Sequence, residues 1–464
     1  MKLATLLLIS LFPLAGVAPT FAKEPAKGQA WVASWAAPIS WAYRNVKLQP
    51  PGLSPAMKTL FEVLTQSTQI DYALPGDEAS DQTFRMIVKP DIWGKTVRIG
   101  FSNVFGDREL SLAGATLGLQ EDGGRVLPGT NTQITFGGKI DVSIAKGDQL
   151  FSDPVRLPFV TEANKPWLRG RNLAVSFVIK GESGPLSAYN GSLVTSYIAR
   201  PNSGDHTRDD DDVAFPYAVK SFFIVSELDV LAAEDTAVVC ALGDSLTDTG
   251  TTLNGYDSWP NALSERLHKA YGDKVSVVTM AIVGNTVVTE WEPSAIFAAP
   301  EIFGQPAVKR LDRDVLSISN LTSVVWMEGS NDLGLGSKPE TVIEGYREVV
   351  GRLHAKGIVI VGATMTSHLW PESNRDNSPI SHTSRYNTAQ FDADRKQLNQ
   401  FIRTSGIFDR VADVSRVTDD PATGSLYTDF QNGDYEHPNR AGHQAMAAAV
   451  DMDVLVLRRK KASR

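Results

Sequence analysis

A single cysteine, Cys240, is all the thiol this chain of 464 residues carries, so no disulfide can form within it. Cys240 lies inside an unbroken apolar run, Ala237 to Leu242, where a thiol is inert packing rather than a nucleophile. Histidine is scarce too: seven residues, few enough to weigh one by one as a base. Positive charge is in deficit. With 45 Lys and Arg against 53 Asp and Glu, the formal net charge is −8, which argues against nucleic acid as a partner. Beyond the first 22 residues no hydrophobic run approaches a membrane span.

The chain begins with Met1 to Ala22, which has the make-up of a secretory signal peptide. Lys2 precedes an apolar core from Leu3 to Val17, and Thr20-Phe21-Ala22 stands ahead of Lys23. Cleavage there predicts a mature protein in the periplasm or beyond, with no stable membrane insertion. The 42% hydrophobic content suffices for ordinary cores, and the length suits two or three domains.

Residues 23–232 read as a β-rich domain. Thr96 to Phe101 alternates polar and apolar, and Thr132 to Phe136 and Leu173 to Ile179 are further strand candidates. Turns such as Asp122-Gly123-Gly124 separate them, which suggests a β-sandwich or jelly roll. Pro55 to Thr65 is the one helical stretch. The domain either binds a glycan or packs against the second half of the chain and shapes its cleft, packing being the simpler reading. Asp209-Asp210-Asp211-Asp212 lacks the alternating acids of a calcium loop and reads as a solvated turn, so no metal is expected. His206 is expected to make a structural hydrogen bond or to face the site across the domain boundary. That boundary falls at Ala232 to Asp235, which leaves residues 233–464 as a second domain.

In the second domain, strands alternate with helical patterns. The strands are Ala237 to Leu242, Val275 to Val278, Ser323 to Met327, Ile358 to Val361 and a short one near Val411. The helices are Ser258 to Tyr271, Pro339 to Ala355, Phe391 to Thr404 and a last one from Asn439. Such alternation predicts a parallel sheet with helices on both faces and right-handed crossovers. Ser245, Gly284 and Asn331 then follow three strand ends and meet on one edge of the sheet, where ligands bind in open α/β folds.

A serine hydroxyl needs a base to take its proton. Asp434-Tyr435-Glu436-His437 offers one: an acid three residues before a histidine can hold one ring nitrogen and leave the other free. A glycine N–H at Gly284 and the Asn331 amide are suitable donors for an oxyanion. Among the other histidines, His268 and His354 fall in helices and are expected at the surface. His443 is expected to cap or pack the last helix, and His368 and His382 lack an acid at matching spacing. Asp248 is a second candidate for orienting the base. Trp291, Trp370 and the loop Thr366 to Ser384 are candidates for lining a pocket.

Gly243-Asp244-Ser245-Leu246, Gly284, Gly329-Ser330-Asn331-Asp332 and Asp434-x-x-His437, in that order, resemble the SGNH (GDSL-type) esterase and acylhydrolase family. The resemblance covers about Thr236 to Met452. It extends to a secreted subgroup with an N-terminal β-rich region, through Trp31 to Trp35, Arg98 to Asn103 and Gly204-Asp205-His206-Thr207. It implies a flavodoxin-like three-layer α/β/α domain behind the β-rich one. It also implies Ser245 as nucleophile, His437 as base, Asp434 as orienter, and the Ser245 N–H, Gly284 N–H and Asn331 amide as the oxyanion hole. No cofactor is called for. Thr249 stands where the family often has glycine, and Glu436, beside the base, is expected to tune the charge preference of the cleft. The expected activity is hydrolysis of an acyl ester, short-chain or carried on a carbohydrate. The competing readings are acyl transfer on the same scaffold and a catalytically silent carbohydrate- or surface-binding protein. Substrate and oligomeric state are not legible.

Overall fold

The computed structural model describes residues 25–42, 74, 78–248, 250–293, 300–370 and 385–456. The leader, the Pro55 to Thr65 helix, Thr249 and His382 lie outside the described residues. The long strands of the β-rich half are β1 (Gln29–Ala36), β2 (Glu78–Val88), β3 (Thr96–Ser102), β4 (Leu110–Leu119), β5 (Leu173–Pro185) and β6 (Val225–Ala233). All pair antiparallel. β1, β6 and β3 run side by side in a five-stranded sheet, and β2, β5 and β4 form the middle of a seven-stranded one. The sheets meet through rings: Phe101 of β3 sits edge-on to Phe177 of β5 at 5.9 Å, and Phe177 stacks on Phe84 of β2 at 5.3 Å. Large buried rings of this kind supply much of a sandwich core.

The tetra-aspartate stretch has a structural task. The backbone carbonyls of Asp209 and Asp211, with those of Gly124 and His206, accept hydrogen bonds from the buried Arg85 guanidinium. His206 Nδ1 lies 2.8 Å from Asp209 Oδ2 in the same loop, so His206 serves the β-rich half and not the cleft.

Three residues separate β6 from β7 (Ala237–Gly243), the first strand of the second half. Four more come after it: β8 (Val275–Ala281), β9 (Leu321–Met327), β10 (Val359–Ala363) and β11 (Arg410–Ala412). They form one parallel sheet in the order β8-β7-β9-β10-β11, the flavodoxin-like order. Every residue of β7 is buried, as an unalternating apolar strand covered on both faces should be. The helices are α1 (Ser245–Asp248), α2 (Trp259–Tyr271), α3 (Ser330–Gly334), α4 (Pro339–Ala355), α5 (Ala389–Thr404) and α6 (Arg440–Ala448). α4 turns Val342, Tyr346, Val349, Val350 and Leu353 inward, the stripe its periodicity predicts. α5 starts earlier than the apolar pattern suggests because Thr388 caps it, its hydroxyl accepting from the Phe391 N–H.

The halves are packed together. The Ser276 hydroxyl donates to the Ala33 carbonyl at 2.7 Å, which sets β1 against the edge strand β8. His268, expected at the surface, is buried: its Nε2 is 2.8 Å from Asp91 Oδ2 across the interface. The helical pattern of α2 could not reveal this, because the face that looks polar in isolation is covered by the other domain. No helix among the described residues is long and apolar enough to cross a membrane.

Candidate active site

β7 ends at Gly243, and Ser245 opens the single turn of α1. Asp244 shapes that turn: its Oδ1 accepts from the Leu246 N–H at 3.0 Å. Burial pushes the Asp244 carboxyl up to about 7. β8 and β9 flank β7 in parallel, so the loops carrying Gly284 and Asn331 leave the sheet on the same edge as Ser245.

His437 arrives from the turn before α6. Asp434 Oδ1 accepts from the backbone N–H groups of Glu436 and His437, both at 2.8 Å, while its Oδ2 lies 2.8 Å from His437 Nδ1. One carboxylate thus closes the turn and aims the imidazole. His437 Nε2 lies 3.0 Å from Ser245 Oγ. The Asp–His–Ser chain is continuous. Burial disfavours the imidazolium, but the bond to and charge of Asp434, with Glu436 and Asp244 nearby, outweigh it and lift His437 to about 9. Burial likewise works to raise Asp434, yet its bonds to the His437 ring and to the turn hold it below the usual carboxylate range.

At the second strand end, Gly284 has φ of +77°, in the left-handed region. A Cβ there would stand 2.4 Å from the Phe303 ring, which itself packs 4.4 Å from Trp291. The Gly284 carbonyl is held by Trp291 Nε1 at 2.7 Å, whereas its N–H has no partner among the described residues. At the third strand end, Asn331 Nδ2 donates to the Asn285 carbonyl at 2.8 Å and lies 3.3 Å from Asp244 Oδ2. Asn331 therefore ties the Gly284 loop to the residue preceding the serine.

Several groups with no role legible in the sequence hold this set in place. The Asp332 carboxylate accepts from the N–H groups of Val287, Val288 and Thr289 and from the Thr289 hydroxyl, which anchors the Gly284 loop to α3. Arg310, fully buried, donates to Asn285 Oδ1 and to the Met280 carbonyl, each at 2.8 Å. Arg310 sits in an irregular helical stretch between the Gly284 and Gly329 blocks and carries no local signal, and Asp332, though inside Gly329-Ser330-Asn331-Asp332, has nothing beside it in sequence to reveal its anchoring role. Glu436, beside His437, is paired. Its Oε1 lies 3.5 Å from Nδ1 of the buried His368, and despite burial His368 and His437 keep it below its ordinary range. Asp248, the alternative orienter, points the other way and accepts from the Tyr189 hydroxyl of the β-rich half. His443 is buried and its Nδ1 accepts from the Trp259 N–H, a packing role. His354 sits 3.1 Å from Asp409 and is half-buried. Trp291 lies beside Gly284, and Trp370 packs on Tyr435 at 5.1 Å; most of the loop after Trp370 lies outside the described residues.

A cavity of about 590 Å³ lies between the two halves, reaching Tyr189 and Asp248. Ser245 and His437 are not among its lining residues.

No curated protein matches the chain. Solved structures resemble about half of it. One is a protein of the G-D-S-L lipolytic family from Desulfitobacterium hafniense, 19% identical, covering 48% of this chain and 99% of its own, with a TM-score of 0.33. Another is a carbohydrate acetylesterase family member from Sinorhizobium meliloti, 16% identical, covering 46% and 94%, with a TM-score of 0.34. A GDSL-like lipase from Bacteroides thetaiotaomicron is 13% identical over 48% and 88%, with a TM-score of 0.32. These scores are too low to carry function. Residues 241–445 match the GDSL-like Lipase/Acylhydrolase family, so the chain carries a carboxylic ester hydrolase domain of that type, an α/β/α domain with an antiparallel β-rich region ahead of it.

Proposed function

We propose that the mature chain is an exported serine esterase that cleaves short-chain acyl esters through Ser245, His437 and Asp434. The observation that carries this reading is the unbroken hydrogen-bonded chain from Asp434 through His437 to Ser245 Oγ at 3.0 Å. Ser245 Oγ attacks the ester carbonyl carbon as His437 Nε2 takes its proton. The tetrahedral oxyanion is met by the N–H groups of Ser245 and Gly284 and by the Asn331 amide. Collapse breaks the carbon–oxygen bond of the alcohol, which leaves with the proton returned by His437. Water, deprotonated by the same imidazole, then releases the acid and restores the serine. Asp434 holds the ring in the tautomer this cycle needs.

The export half of the proposal is supported by Met1 to Ala22. The chain-length half is supported by bulky rings on both sides, Trp291 with Phe303 beside Gly284 and Trp370 with Tyr435 beside the base, which suit a small acyl group. The test is hydrolysis of p-nitrophenyl acetate, butyrate and octanoate, and of an acetylated polysaccharide, by wild type beside Ser245→Ala. The expected result is turnover of the short esters by wild type and none by the variant. Equal rates for both proteins would overturn the nucleophile, and a preference for octanoate would overturn the short-chain reading.

A further inference from the structure

The orientation of the Asn331 amide matters more than its presence. With Nδ2 toward the site an oxyanion meets a donor; flipped by 180°, it meets a carbonyl oxygen, which repels it. Nδ2 donates to the Asn285 carbonyl at 2.8 Å and more weakly to Asp244 Oδ2 at 3.3 Å, and a donor on Oδ1 would pin the other half of the amide in the same sense. Tyr386 supplies one: its hydroxyl donates to Asn331 Oδ1 at 2.9 Å. We propose that Tyr386 is the positioning residue for the oxyanion amide, and that Gly334 is glycine so that Tyr386 can reach it. This inference rests on the assignment of Asn331 to the oxyanion hole.

Two further observations support it. The phenol ring is held in place, lying 5.8 Å from the His368 ring at an interplanar angle of 29° and 5.3 Å from Phe391. Gly334 ends α3, the turn that carries Asn331, and its φ is not in the left-handed region, so the backbone itself would accept alanine. Space is what forbids it. A Cβ on Gly334 would stand 2.4 Å from Tyr386 Cζ and 2.6 Å from its hydroxyl oxygen. The far end of the tyrosine would have to move, and with it the bond to Asn331. His368 packs on the tyrosine ring, and its Nδ1 lies 3.5 Å from Oε1 of Glu436, next to the base. The donor that stabilises the oxyanion and the turn that carries the base are thereby braced against one another.

Steady-state kinetics on a p-nitrophenyl ester test this with Ser245→Ala, Asn331→Ala, Tyr386→Phe, Gly334→Ala and the double variant Asn331→Ala/Tyr386→Phe, each checked by a thermal melt. Removing a whole oxyanion donor costs about 10²–10³ in kcat. Misorienting one is expected to cost less, on the order of tenfold, in both Tyr386→Phe and Gly334→Ala, with KM nearly unchanged. In the Asn331→Ala background the tyrosine change should cost nothing further, because coupled groups are not additive. An equal loss in both backgrounds, or a loss confined to KM, overturns the proposal. So does a Tyr386→Phe variant that no longer melts cooperatively while Gly334→Ala retains full activity. If Ser245→Ala remained active, the underlying mechanism would fail instead. A dead Ser245→Ala beside a fully active Tyr386→Phe would sink this inference alone.

Discussion

The Tyr189 hydroxyl, on the β-rich half, donates a hydrogen bond to the Asp248 carboxylate, which ends the one-turn helix that Ser245 begins. The turn that carries Ser245 is therefore held at its far end by the other domain. Burial pushes Asp248 up to about 7, against which the Tyr189 bond works. Tyr189→Phe removes that donor and leaves a buried carboxyl behind. The expected cost is about 1–3 kcal/mol of unfolding free energy, read from urea denaturation. The nucleophile's turn should also loosen, lowering kcat. A variant with wild-type stability and kcat would show that the β-rich half does not brace the turn.

Asp434 is the group whose removal should change the shape of the pH profile. His437 is lifted from 6.5 to about 9, largely through its bond to Asp434. The reaction needs the neutral imidazole, so kcat/KM should rise with pH through an inflection well above 6.5. In Asp434→Asn the inflection should move down while the plateau falls by on the order of 10³–10⁴. An unmoved inflection would place the source of the lift elsewhere.

Gly284→Ala combines two penalties, a left-handed φ of +77° and a Cβ set 2.4 Å from the Phe303 ring. The loop must shift, and its backbone N–H with it. The expected loss is about 10²–10³ in kcat, that of one oxyanion donor, with a folded protein by circular dichroism. Retained turnover would remove Gly284 from the hole.

The His268–Asp91 pair predicts how domain packing responds to pH. Burial disfavours the imidazolium, but Asp91 outweighs it and the folded pKa is raised above 6.5. A raised histidine contributes stability that is fully present below the unfolded value and is lost as pH rises through the folded one. Thermal midpoints of wild type and His268→Gln should therefore differ most at acid pH and converge at alkaline pH. A constant difference across that range would show a pair insensitive to protonation.

Much of the candidate site was legible because it is written in short blocks at strand ends. Ser245, Gly284 and Asn331 each come after an apolar run, and a parallel sheet brings consecutive strand ends to one edge whatever the details of the loops. Asp434 and His437 were legible because three residues of spacing suffice to close a turn and aim a ring. The same locality explains the misreadings. His268 looked exposed because helical periodicity sees only its own helix, and the pairing of Glu436 with His368 was invisible because the two are 68 positions apart.

By itself, then, the sequence determined what neighbouring residues impose on one another: the strand and helix alternation, the buried β7, the turn around Asp434, and the order of the four blocks. Tertiary structure alone decided which distant groups became partners. Tyr386 reaching Asn331 past Gly334, Tyr189 bonding Asp248, Arg310 beneath Asn285 and Asp91 beneath His268 all join segments tens of residues apart or more. No periodicity encodes such pairs. They exist because burial removes water and leaves each polar group to find its partner in whatever segment the fold brings alongside.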